Sequence, residues 1–124
     1  MNLEPSAVAS FDAGFERLLV TSVESRFGFA FGHVRLGPME VYIRIGKRMV
    51  SNEYEQAVSL VNLQVPVEFQ RQGLFTIAIE RIRLYTALPL FLEDTRADFA
   101  KHLMTKGWCL QRANMNTIDL YRRD

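Results

Sequence analysis

The sequence predicts an α+β (mixed α/β) fold, a central mixed β-sheet flanked by helices on both faces, and three observations carry that prediction. An amphipathic segment opens the chain, two stretches of period two follow it, and a strand–helix–strand unit occupies the middle. Such a unit needs a parallel pair joined by a right-handed crossover, and hairpins on either side of it make the sheet mixed. The 124 residues suit one compact domain spanning 1–124, and 48% hydrophobic with 23% charged residues is a globular composition.

In chain order, Pro5-Ser6 reads as a helix start, because proline suits the first helical turn. From there to about Glu24, Val8, Phe11, Phe15, Leu18 and Leu19 share a stripe, with Asp12, Glu16 and Arg17 off it. From Phe27 to Leu36 the phenylalanines Phe27, Phe29 and Phe31 alternate with Gly28, Ala30 and Gly32. The phenylalanine side is expected to be core, since a strand under a helix needs an apolar face. Gly37-Pro38 breaks the run. Met39, Val41, Ile43 and Ile45 then alternate with Glu40, Tyr42 and Arg44 as an antiparallel partner with one wetted face.

Gly46 to Gln56 is polar and reads as a loop with at most a short strand at Arg48-Met49-Val50. Ala57 to Val65 is a strand, and Leu74, Ile77, Ala78, Arg81, Ile82 and Tyr85 have helical spacing that ends near Pro89. Pro89 to Glu93 is a short buried strand, and Arg96 to Lys106 a helix closed by Gly107. Trp108 to Arg112 and Thr117 to Tyr121 form a final hairpin.

Fifteen Lys and Arg are scattered among fourteen acids, so no basic face points to nucleic acid. The single cysteine, Cys109, excludes an internal disulfide and reads as a buried strand thiol in a reducing compartment. With no signal pattern and no apolar stretch near the ~20 residues of a membrane span, a cytoplasmic protein without membrane partners is expected. His33, His102 and Cys109 lack ligand spacing, so no metal is expected.

One stretch looks built to hold a ligand. The apolar run ending at Val65-Pro66-Val67-Glu68-Phe69 feeds the polar turn Gln70-Arg71-Gln72-Gly73, and the helix begins at Leu74-Phe75-Thr76. A strand that turns tightly into a helix N-terminus offers free backbone N–H groups and the positive helix end, which suit a phosphate or pyrophosphate. Read from the residues alone, the same turn also fits a polar connection that binds nothing.

That order, with this turn in its place, resembles the GNAT superfamily of acyl-CoA N-acyltransferases. Gln70-Arg71-Gln72-Gly73-Leu74-Phe75 is similar to the family's Gln/Arg-x-x-Gly-x-Gly/Ala loop, with Phe75 in place of the last small residue. Val65 to Phe69 looks like the family's V-P-x-x-Y/F lead-in. Downstream, Phe91 to Asp94 and Phe99 to Trp108, ending Leu103-Met104-Thr105-Lys106-Gly107-Trp108, resemble its fifth strand and its L-x-x-x-G-F/W helix ending. The resemblance covers roughly Ala57 to Tyr121.

It implies acetyl-CoA as co-substrate. Val65 and Val67 would offer main-chain hydrogen bonds to the pantetheine arm. The N–H groups of Arg71, Gln72, Gly73, Leu74, Phe75 and Thr76, with Gln70 leading the loop, would cradle the pyrophosphate. Acyl transfer to an amine also needs a base for the amine proton and an acid for the leaving thiolate. Where the family often has a tyrosine acid this chain has Leu103, which leaves His102 as the nearest titratable substitute, Tyr54, Tyr85 and Tyr121 as alternative acids, and Glu68, with Glu53, Glu55 and Glu93, as candidate bases.

Two functions follow. One is an acetyl-CoA-dependent N-acetyltransferase acting on an amine of a small molecule or protein. The other is a catalytically weak or inactive module of the same fold that binds a partner protein. Short members of the family also pair through their sheets or C-terminal strands, which adds a homodimer to the expected partners.

Overall fold

The computed structural model describes residues 3–50, 52–64, 73–113 and 117–123. The element order is α1 (Pro5–Glu24), β1 (Ala30–Leu36), β2 (Met39–Val50), β3 (Glu53–Gln64), α2 (Leu74–Tyr85), β4 (Leu90–Arg96), α3 (Ala97–Met104), β5 (Cys109–Ala113) and β6 (Thr117–Arg122). The strands form one six-stranded sheet in the order β1-β2-β3-β4-β6-β5. Only β3 and β4 run parallel; every other neighbouring pair is antiparallel.

The α+β class and the mixed sheet are as the sequence predicts, whereas the described helices lie on one face rather than on both. Ile43 and Ile45 pair with Leu60 and Val58, which pair in turn with Leu92 and Leu90. Residues directly opposite share a face, so these positions form one apolar surface. Phe11 and Phe15 of α1, Leu74, Ala78 and Ile82 of α2, and Ala100 and Leu103 of α3 join it in a single core cluster. The topology explains this. The chain steps in the same direction across the sheet from β3 to β4 and from β4 to β5, and right-handed crossovers taken in one direction put their helices on one side.

The first strand reverses its expected face. Phe27, Phe29 and Phe31 are exposed at 79%, 45% and 58%, while Ala30, Val34 and Leu36 are buried. Close approach decided this. A Cβ on Gly32 would lie 3.4 Å from Leu18, and one on Gly14 would lie 3.3 Å from Val34, so α1 seats on the small-residue side. The helix thereby covers the weaker-looking face and leaves the phenylalanines outside.

Three other expectations change. The stretch from Gly46 to Gln56 is a continuous hairpin, with Lys47 to Val50 paired to Glu53 to Gln56. Cys109 is exposed, because it lies on β5, an edge strand whose side chains are all exposed. Asp12 is buried at 9% exposure rather than lying on a wet face, since the flank of α1 that carries it faces α2. Among the described residues no helix is long and apolar enough to cross a membrane.

Phe75 shows why the loop motif departs from a small residue. Its ring lies 5.4 Å from Phe99 and 5.8 Å from Trp108, centroid to centroid, and joins α2 to α3. Truncating it to alanine opens a gap between the two helices. Phe75→Ala should lower unfolding free energy by about 2 kcal/mol, below the value for a fully buried ring because Phe75 is only partly buried. Urea denaturation checks this, and an unchanged midpoint would deny Phe75 its structural role.

Candidate functional site

The parallel pair sets the position of the site. Its ladder runs from Val58↔Leu90 to Val61↔Glu93 and ends there. Just beyond, each strand takes a left-handed residue, Asn62 at φ 53° and Asp94 at φ 59°. The register shifts at the same places, between β2 and β3 opposite Glu40–Tyr42 and between β4 and β6 at Leu92–Thr95. Each shift inserts an extra residue on the central strand. Side-by-side bulges therefore end both members of the only parallel pair at their C-terminal ends, where ligands of open α/β sheets bind. Asp119, buried, holds one of these bends by accepting the Asp94 N–H at 3.0 Å.

Sequence reading missed this device, although a signal existed. Asn and Asp are the residues that best tolerate left-handed backbone; Asn62 directly follows Leu60-Val61, and Asp94 comes one residue after Leu90-Phe91-Leu92.

From the end of β3 the chain returns as α2, whose N-cap is Gly73 at φ 78°, ψ 10°. A side chain is strained in that conformation, which is why glycine stands there. Space is not the reason, since a Cβ would have nothing within 4 Å. The first intrahelical bond at this end is Ile77 N–H to the Gly73 carbonyl, 3.0 Å. The N–H groups of Leu74, Phe75 and Thr76 thus precede the helical ladder and point out of its end. Among the described residues, no acidic residue occupies the first turn and no side chain caps Gly73, so the positive helix end is left without a described partner.

The other predicted site residues fall as follows. Val65, Val67, Glu68, Gln70, Arg71 and Gln72 lie outside the described residues. Thr76 is exposed in the first turn of α2, and His102 is exposed in the last turn of α3. Tyr85 ends α2, about 16 Å along the helix from Leu74, and so at the far end from Gly73. Its hydroxyl donates to Asp12 Oδ2 at 3.1 Å. Arg81 grips the same carboxylate with both Nε, 3.1 Å from Oδ1, and Nη2.

Donation from Arg81 holds the Asp12 carboxyl below the usual carboxylate range against the opposing effect of burial, and the Tyr85 bond lowers it further. The same bond to Asp12 pushes the Tyr85 phenol up, so Tyr85 keeps its proton. That trio ties α1 to α2; the geometry gives it to structure.

On the helix-free side of the sheet, Glu93 receives Arg44 and Arg48, the latter at 3.1 Å. Arg48 lies 4.0 Å over the Phe91 ring and donates to Ser59 Oγ at 3.1 Å. Phe91 stacks on Tyr121 at 5.8 Å. Glu93 is therefore a paired acid on the uncovered face. Among the described residues no group of three or more His, Cys, Asp or Glu is placed to hold a metal ion.

No protein-family model matches the sequence, and no curated protein matches it. Solved structures do. A mutant of the toxin AtaT bound to the C-terminus of the antitoxin AtaR matches at TM-score 0.51 and 15% identity, over 92% of this chain and 83% of that one. The N-acetyltransferase YlbP of Bacillus subtilis in complex with coenzyme A matches at TM-score 0.50 and 11% identity, over 100% and 93%. The AtaT mutant with both AtaR and acetyl-CoA matches at TM-score 0.49 and 16% identity, over 67% of this chain and 56% of that one.

Proposed function

The chain has the fold of the GNAT acetyltransferases, and from that premise we propose that it is an acetyl-CoA-dependent N-acetyltransferase, a single domain over residues 1–124. The supporting observation is the N-terminus of α2, led by Gly73 and uncapped among the described residues, on the helix that follows the bulged strand β3 and precedes β4. A pyrophosphate fits that end: three outward N–H donors, a positive dipole and, among the described residues, no side chain within 4 Å of a Cβ placed on Gly73. The fold neighbour YlbP is in complex with coenzyme A.

On this reading Leu74, Phe75 and Thr76 bind the pyrophosphate through the main chain, with Gly73 and the preceding residues Gln70 to Gln72 completing the cradle. Val65 and Val67 hold the pantetheine arm. Acetyl-CoA supplies the acyl group. The protein's part is to hold the thioester against an incoming amine, and proximity alone is worth several powers of ten in rate. The amine belongs to a small molecule or a protein. Glu68 is proposed as its base and His102 as the acid, while Tyr85 is the weaker candidate because its proton is committed to Asp12.

A second reading has a specific observation behind it. Among the described candidate acids, one is an exposed histidine and one a tyrosine bonded to structure, which suits a module that binds a partner protein without turnover. The neighbour AtaT is bound to the C-terminus of an antitoxin.

Calorimetric titration of the protein with acetyl-CoA tests the shared premise. Saturable binding at micromolar concentration is expected, and its absence would remove the acyltransferase reading. Release of free thiol on adding amines then separates the two readings.

A further inference from the structure

We infer that the amine acceptor is a free amino acid with an apolar side chain, held on the helix-free face of the sheet by Glu93 and Arg44 at the end of the parallel strand pair. This rests on the acetyltransferase reading and names the substrate class that the reading leaves open.

The first support is place. Glu93 sits on the last rung of the β3–β4 ladder, opposite Val61, and the left-handed residues Asn62 and Asp94 follow directly. The described helices pack on the other face, and α2 is the element that follows β3. A cofactor bound at the start of α2 and an acceptor bound on Glu93 therefore approach the same strand ends from opposite sides of the sheet.

The second support is an open acceptor atom beside open donors. Arg44 Nη2 and Arg48 Nη1 both reach Glu93 Oε2, the latter at 3.1 Å. Among the described residues no donor reaches Oε1. Arg48 is fixed, because it lies 4.0 Å over the Phe91 ring and donates to Ser59 at 3.1 Å and to Gln111 at 3.3 Å. Arg44 is freer. Its side chain is 43% exposed, and among the described residues it bonds Glu93 alone, which leaves Nε and Nη1 uncommitted. Arg48 thus holds the carboxylate in place while Arg44 keeps N–H groups for a second anion. An amine N–H on Oε1 and a carboxylate on Arg44 satisfy both at once.

The third support is charge. Two guanidiniums on one carboxylate leave a positive charge in excess, and the Glu93 side chain between them is only 17% exposed. The other acids of this face do not cancel it. Glu40 is engaged by Arg35 and Glu55 by Arg123, and Glu53 lies at the far end of the β2–β3 hairpin. A simple cationic amine would add to the excess. An amino acid brings its own carboxylate, so it leaves the local charge unchanged and sets its negative end against the surplus.

The fourth support is an aromatic wall. Phe31 is the neighbour of Arg44 across the β1–β2 ladder, and Tyr42 stands two residues before Arg44 on the same face. Phe29, Phe31, Tyr42 and His33 form a continuous row, with successive ring centroids 5.5, 6.1 and 5.1 Å apart. Gly46 makes room for the row, since a Cβ there would lie 2.9 Å from the Phe29 ring. Phe31 is 58% exposed and gives an apolar side chain of the acceptor a surface to cover.

The experiment is a titration of the isotope-labelled full chain, followed through the backbone amide signals of β2 by nuclear magnetic resonance, with and without saturating coenzyme A. The probes are L-leucine and L-phenylalanine, each against its primary amide, which keeps the amine and lacks the carboxylate. At least one amino acid should bind with a Kd of about 1 mM or tighter, and at least about tenfold tighter than its amide. Arg44→Gln should fold and bind acid and amide alike. Arg44→Lys keeps a charge and should restore part of the preference. A purely structural role for Arg44 would leave the ratio between acid and amide unmoved.

No binding of either amino acid, equal binding of acid and amide, or a preference that survives Arg44→Gln would each overturn the proposal. Calorimetry with acetyl-CoA separates this outcome from the fate of the enzyme. If acetyl-CoA binds and the amino acids do not, the acceptor assignment falls and the acyltransferase reading stands. If the amino acids bind with the expected preference and acetyl-CoA does not, the site stands and its role as acceptor falls with the transfer reading.

Discussion

Replacing Asp12 with alanine should destabilise the protein more than any other single polar change described here, by about 2 kcal/mol, and flatten the acid side of its stability profile. Asp12 is the anion that Arg81 and Tyr85 share, and its side chain is 12% exposed against 32% for Arg81. Removing it strands a guanidinium between two helices, which is the costly way to break an ion pair. The partial exposure of Arg81 lets water replace some of what is lost, which keeps the effect below that of a fully buried pair. At roughly 4 °C per kcal/mol for a chain of this size, thermal unfolding should fall by about 8 °C.

The pH dependence has a definite sign. The Asp12 pKa is lower in the folded state than in the unfolded chain, so its contribution is fully present above the ordinary aspartate value of about 4. It is lost as pH falls through the folded value. Tyr85 acts at the other end. Its folded pKa is raised, so its bond to Asp12 is present below about pH 10 and lost as pH rises through the folded value. Urea unfolding at pH 3 to 7 should show the wild type and Asp12→Ala converging toward the acid end. Parallel curves would mean that Asp12 is not the titrating anchor.

The second large effect concerns Gly73. Gly73→Val should reduce acetyl-CoA affinity by at least about tenfold, equivalent to 1.4 kcal/mol. A β-branched residue cannot adopt φ 78° without strain, and its methyl groups would fill the space over the α2 N-terminus that is now clear. Strain alone could loosen the helix, so Gly73→Asn is the matching control. Asparagine tolerates left-handed backbone and should leave the melting temperature within a few degrees of wild type. If both variants fold and both bind like the wild type, the helix end is not where the pyrophosphate goes.

These sites differ in how far the sequence announced them. Gly73 was legible as the turn into α2, because a glycine just ahead of a helical pattern marks a turn. The Leu103 to Trp108 ending was legible too, and the Trp108 N–H does bond the Leu103 carbonyl at 3.2 Å. The helix at Pro5 and the hairpin at Gly37-Pro38 stand where proline and glycine put them.

What escaped was tertiary. Asp12 lies about 20° beyond Leu19, the edge of the apolar stripe of α1, on a helical wheel of about 100° per residue, and only the position of α2 decides that this flank is dry. The face of β1 was misjudged because hydrophobicity favoured three phenylalanines, whereas the fit of α1 favoured Ala30 and Gly32. The bulges at Asn62 and Asp94 were legible only in the residue types that tolerate left-handed backbone; the register shifts themselves depend on the partner strands β2 and β6.

The grouping of all described helices on one face divides the molecule by the kind of change it tolerates. On the helical side the buried residues of sheet and helices share one cluster, so a substitution among them must be compensated elsewhere. On the other side, among the described residues, Phe91 and Ser59 meet side chains of the sheet itself, such as Arg48 and Tyr121. That side has only the small cluster of Val50, Ala57 and Phe91 with Tyr121 against it, so most exchanges there leave the main core untouched. The fold thus keeps one conservative surface that maintains its shape and one permissive surface on which new recognition can be acquired while the shape is held constant.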